Sequence, residues 1–167
     1  MGRKSLEVLR KLIPQLTNIQ LHNVPFVNGF NHELLIQLTD ELSYNTQMLM
    51  KLRISSINLN HRQIVDTLCQ IITSTRVLQM INFSWAQFSC EHLSMISSCL
   101  CDRVLSLRSI DFSFNRLNFN EELNWNEYYF SQKFVESLNE FLEKSILINH
   151  LKLSGMNYSQ KGILQIV

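Results

Sequence analysis

The side chains that could do chemistry are few and poorly paired. The five histidines, His22, His32, His61, His92 and His150, stand without a nucleophile and an orienting acid at a spacing that group transfer could use. There is no glycine-rich phosphate loop, no H-E-x-x-H and no G-x-S-x-G in the chain. Cys69, Cys90, Cys99 and Cys101 contain no C-x-x-C pair and no second Cys/His pair at zinc spacing. Thiols on the apolar side of helical segments act as small buried hydrophobes. No catalytic residue, no metal and no cofactor is therefore expected. What remains suits gripping another molecule: Trp85 and Phe114, 29 residues apart, Asn82 and Asp111 at the same separation, the cations Lys51 and Arg53, and Trp125 in an acidic, aromatic stretch.

Residues this far apart meet only if the chain repeats, and it does. The segments LTNIQLHNVPF (16–26), LMKLRISSINL (49–59), LQMINFSWAQF (78–88), LRSIDFSFNRL (107–117) and INHLKLSGMNY (148–158) align without gaps. Counting the first residue as position 0, each is apolar at positions 0, 3, 5 and 10, and all but the fourth at position 8. Segment starts lie 33, 29, 29 and 41 residues apart, so the basic period is 29. Alternation at positions 3 and 5 marks a short strand with one buried face, and each following stretch changes to helical spacing. The unit is strand, loop, helix. Ile64, Leu93 and Ile163 share position 15, and Phe134 and Leu35 join them once the 12 and 4 extra residues of their repeats are removed. Leu42, Ile71, Leu100 and Phe141 share position 22 in the same way. Two apolar residues seven apart place one stripe of each helix against the sheet.

Over residues 16–167 this pattern resembles the leucine-rich repeats of the ribonuclease-inhibitor-like class. The resemblance implies an α/β horseshoe, a solenoid with a parallel concave sheet and convex helices, here of about five repeats. At position 8 that family favours Asn or Cys, whose side chain hydrogen-bonds the turning backbone. Val24, Ile57, Ala86, Asn115 and Met156 stand there, so the turns without a polar residue need different partners or water.

Residues 1–14 are expected to form an N-terminal cap helix, with Leu6, Leu9 and Ile13 on one face and Arg3, Lys4, Arg10 and Lys11 around it. The repeats then occupy 15–167. The last is incomplete, because Gly162 to Val167 supply barely one and a half helical turns and end apolar. That implies a fragment, a truncated isoform or an end covered by a partner, and so a place in a larger chain or assembly. The insertion of the fourth repeat, 118–129, is expected in the strand-to-helix loop, where it brings Glu121, Glu122, Trp125, Glu127, Tyr128 and Tyr129 to one edge.

Composition narrows the partner. Forty-six per cent apolar and 17% charged residues suit one globular domain, and 15 basic against 14 acidic side chains give no overall field for nucleic acid or an anionic membrane. The first residues hold no uninterrupted apolar stretch of signal-peptide length, and no window nears the roughly 18 apolar residues of a membrane span. The expected setting is cytoplasmic, and the expected partner is another protein.

In a parallel solenoid sheet the residues flanking positions 3 and 5, with position 7 at the strand end, point to the concave surface, which the resemblance implies is the ligand face. Position 4 reads Gln20, Arg53, Asn82, Asp111 and Lys152, and position 7 reads Asn23, Ser56, Trp85, Phe114 and Gly155. Trp85 and Phe114 thus belong about 5 Å apart on neighbouring strands. The partner-binding candidates are Trp85, Phe114, Asn82, Asp111, Arg53, Lys51 and Trp125. The expected function is a protein-interaction module or scaffold. The alternative is a GTPase-activating protein of the Ran-type leucine-rich-repeat family, for which Arg62, in a strand-to-helix loop, is the arginine candidate.

Overall fold

The computed structural model describes residues 7–8, 11–23, 32–45, 47–103, 106–117 and 124–156. A 3-10 turn, Ile13–Gln15, leads into β1 (Asn18–His22), followed by α1 (His32–Asn45) and β2 (Lys51–Ser55). Next come α2 (Arg62–Ser74), β3 (Met80–Asn82), α3 (Cys90–Arg103), β4 (Ser109–Asp111), α4 (Trp125–Lys144) and β5 (His150–Lys152). The five strands form one parallel sheet in chain order. Asn18, Lys51, Met80, Ser109 and His150 stand abreast, so position 2 of each repeat pairs with position 2 of the next. A parallel neighbour is reached only by crossing over, and the helix of each repeat supplies the crossover. The helices pack in the same order, α1 on α2, α2 on α3 and α3 on α4. This is an α/β leucine-rich-repeat-like solenoid.

The two periodicities of the sequence become the two walls of the core. Positions 3 and 5 bury Leu52, Ile54, Ile81, Phe83, Ile110 and Phe112, and the helical stripe buries Leu42, Ile64, Ile71, Leu93, Leu100, Phe134 and Phe141 against them. Phe83 meets Phe88 edge-on with centroids 5.9 Å apart, and Phe112 meets Phe134 the same way at 6.0 Å. Such edge contacts contribute about 0.5–1.5 kcal/mol beyond the area they bury. Ile163 and the side chain of Leu35 lie outside the described residues.

Strands β3, β4 and β5 stop after three residues, two short of β1 and β2. Asn82 and Asp111 close β3 and β4, because each accepts the N–H two residues on and bends the chain out of the strand. The second half of the insertion is helix rather than loop: α4 runs 20 residues against 13 or 14 for the other three, and Trp125 opens it. Asn124 caps that start by accepting the Glu127 N–H. Glu121 and Glu122 lie outside the described residues, as do Leu6 and Leu9 of the expected cap helix and the end of the last repeat. Ile13, assigned to that cap helix, is buried in the 3-10 turn.

Candidate functional site

Where the strands end, the backbone takes one form in every repeat. Asn23, Ser56, Trp85, Phe114 and Gly155, position 7 throughout, hold φ at 45°, 56°, 56°, 61° and 67°. This left-handed region suits Gly and Asn and crowds a large side chain. A ladder of backbone bonds enforces it. The N–H groups of Asn23, Ser56, Trp85 and Phe114 donate to the carbonyls of Ser55, Ser84, Ser113 and Ser154 of the next repeat at 3.2, 3.1, 2.9 and 2.7 Å. At position 8 Ile57, Ala86 and Met156 are buried apolar residues without a polar group to offer the turn. Only Asn115 keeps that group. It is 1% exposed, its Nδ2 donates to Phe83 O at 2.8 Å and Phe112 O at 2.9 Å, and its Oδ1 accepts from Phe88 N at 3.2 Å.

Two of these five position-7 residues are large aromatics, and they stack. The rings of Trp85 and Phe114 lie 4.3 Å apart and 15° from parallel. They remain 54% and 44% exposed, unlike the buried phenylalanines at position 5. Gly155 continues the row: a Cβ built there would lie 2.4 Å from Phe114 Cδ1 and 2.7 Å from Cε1, so the ring rests where a side chain would be. The sequence pairing of Trp85 with Phe114 therefore holds in space. The left-handed backbone beneath them and the role of Gly155 escaped notice, although Asn23 and Gly155 in the same column were the available signal.

The other candidates are partly committed to one another. Asp111 Oδ2 accepts from Asn82 Nδ2 at 3.2 Å, while Asp111 Oδ1 and Asn82 Oδ1 accept the turn N–H groups of Ser113 and Ser84. Both side chains shape the turns under the aromatic pair. The Arg53 guanidinium lies along Met80, with Nη2 2.9 Å from the sulfur, and Lys51 is half-buried on the same strand. Trp125 stands apart from the sheet. It is 62% exposed at the start of α4, and its rings meet Tyr128 at 6.1 Å and Tyr129 at 5.5 Å. A helix begins on the edge where the preceding strand ends, so this cluster and the Trp85–Phe114 pair belong to the same edge of the solenoid.

Elsewhere the chemistry is quiet. Arg62 is the first residue of α2 and is ion-paired to Asp66 at 3.2 Å and to Glu91 at 3.1 Å. A transition-state arginine would have to leave both carboxylates. The four cysteines are free thiols. Cys90 is buried, and Cys69, Cys99 and Cys101 are half-buried between helices, less enclosed than core hydrophobes would be. Cys69 and Cys99 border a recess of about 320 Å³ with Met95, Phe130 and Lys133. A hydrogen bond with Cys99 and burial push the Cys69 thiol well above its ordinary range, which keeps it protonated and a poor nucleophile. Among the described residues no group of three or more His, Cys, Asp and Glu is placed to hold a metal ion, and no helix is long and apolar enough to cross a membrane.

No family model and no curated protein matches the chain. Among solved structures it is similar to the C-terminal domain of tropomodulin from Caenorhabditis elegans, with a TM-score of 0.69 over 96% of this chain and 88% of that one. Sequence identity is 11%, so the likeness is one of fold, and in fold the chain is a leucine-rich-repeat-like solenoid.

Proposed function

We propose that this chain is a protein-interaction module, a scaffold or inhibitor-like subunit of the ribonuclease-inhibitor-like class, that holds its partner at the aromatic pair and the adjoining sheet face. The observation that carries the reading is the Trp85–Phe114 stack: two large rings, each about half exposed, on backbone positions where Gly, Asn and Ser serve the other repeats. Exposed aromatics ringed by polar groups contribute most of the affinity at protein interfaces. The free thiols fit a reducing, cytoplasmic setting.

The test is isolation of bound protein from the native cell with the tagged chain and with a Trp85→Asn, Phe114→Asn double variant. Asn keeps the left-handed turn, so the fold is retained while the rings are removed. Retained partner should fall by about 10-fold or more, the size expected from loss of a dominant interface residue. Equal retention by both chains would overturn the reading.

A further inference from the structure

The row at position 7 is closed at one end and open at the other. Phe114 has Trp85 on one face and the Gly155 backbone on the other. Trp85 has Phe114 on one face, and the next residue in the row on its far side is Ser56, whose N–H bonds Ser84 O of the Trp85 repeat. Serine is too small to cover an indole. Among the described residues no other ring stacks on Trp85, so the row has room for one more, between Trp85 and the second repeat.

Charge says what accompanies it. Of the described acidic residues only Asp111 lies in a strand, whereas Lys51, Arg53 and Lys152 do. Asp111 has both carboxylate oxygens engaged by Asn82 and Ser113. Arg108 and Arg116, just before and after the fourth strand and its turn, are exposed. The described strands thus carry more cations than acids in a chain whose total charge is only +1, and the other described carboxylates, among them Asp66, Glu91, Glu136 and Glu140, lie in helices. A basic segment would be repelled here and an acidic one drawn in.

We propose that the site takes an extended acidic segment of a partner protein, which inserts one aromatic side chain against the open face of Trp85 over Ser56 and lays its carboxylates along the cationic strands. This rests on the interaction reading above and narrows it to one partner chemistry. A ring added to the row gains the offset stacking that Trp85 and Phe114 already show.

Random peptides displayed on phage are selected on the full chain, and the recovered sequences are synthesised. The expected result is peptides with one aromatic residue and an excess of Asp and Glu, whose binding changes the emission of Trp85 in a Trp125→Phe variant. Affinity should drop about 10-fold or more on Trp85→Asn, and fall as salt is raised from about 50 to about 500 mM. Ser56→Phe, which fills the gap with the chain's own ring and leaves Trp85 in place, should block binding as strongly. Recovery of no peptide, or of neutral or basic peptides that still need Trp85, would overturn the acidic-ring proposal while leaving the interaction reading standing. Peptides that map to the helix side and ignore both variants would overturn the two together.

Discussion

Gly155→Ala probes the aromatic row without touching a ring. The new methyl meets two consequences that can be separated. At φ +67° an alanine is in the left-handed region, which costs about 1–2 kcal/mol. Its Cβ would also stand 2.4 Å from Phe114 Cδ1, closer than carbon atoms approach, so the ring has to tilt. Because Phe114 is stacked on Trp85 at 4.3 Å, tilting gives up the ring contact, about 0.5–1.5 kcal/mol. The total is a loss of about 1.5–3.5 kcal/mol, or roughly 3–14 °C in Tm for a domain of this size. In a Phe114→Ala background there is no ring to displace, and only the backbone part, about 1–2 kcal/mol, should remain. Urea denaturation of the wild type, both single variants and the double variant gives the coupling directly, expected at about 0.5–1.5 kcal/mol. Additive losses would mean that Phe114 does not rest on Gly155, and a harmless Gly155→Ala would refute the left-handed turn as well.

Three further outcomes follow from the same structure. Asn115→Leu should cost about 3 kcal/mol or more by urea denaturation, since it leaves Phe83 O and Phe88 N without their side-chain partner inside the core. A loss under about 1 kcal/mol would show that the turn is satisfied in another way. His92 is shifted below its ordinary value of 6.5, chiefly by burial, and its Nδ1 lies 2.7 Å from Asn60 Oδ1, an atom that also accepts the Ser89 N–H. Because Oδ1 only accepts, Nδ1 carries the proton of the neutral ring. The folded chain thus resists a second proton that the unfolded chain takes readily, so stability is full above 6.5 and declines as pH falls below it toward the folded-state value. Urea midpoints across that range should fall less in His92→Gln, and identical pH slopes would remove His92 as the cause. Finally, native Cys69 should react with iodoacetamide much more slowly than an exposed thiol at mildly alkaline pH, and Cys99→Ala should speed it by about 10-fold or more by removing the hydrogen bond that holds the proton. Mass spectrometry of the labelled peptide reads this out, and an unchanged rate would contradict it.

Much of the architecture was legible because burial writes itself into the sequence at two periods. Leu52 and Ile54, Ile81 and Phe83, and Ile110 and Phe112 alternate as strand residues must, and Ile64 with Ile71 or Phe134 with Phe141 recur at helical spacing. Register followed from the gap-free alignment, which is why Trp85 and Phe114 were placed side by side and stand so. Length of the strands was not legible, since Asn82 and Asp111 look like ordinary concave polar residues until their side chains are seen accepting Ser84 and Ser113 N–H. The start of α4 was missed although Asn124 and Glu127 have capping spacing, because a 12-residue insertion reads first as loop. The left-handed column was hidden by its own occupants, as Trp and Phe are the residues least expected there, while Asn23 and Gly155 at its ends carried the signal.

The most direct measurement places a photoreactive benzoylphenylalanine at position 85 of the chain in its native cell, with the same group at Gln70 on the exposed side of α2 as the control. If the aromatic pair is where a partner is held, irradiation should link a discrete protein to position 85 and little to position 70. Adducts from position 70 alone, or none from position 85 while the chain is folded and expressed, would contradict it.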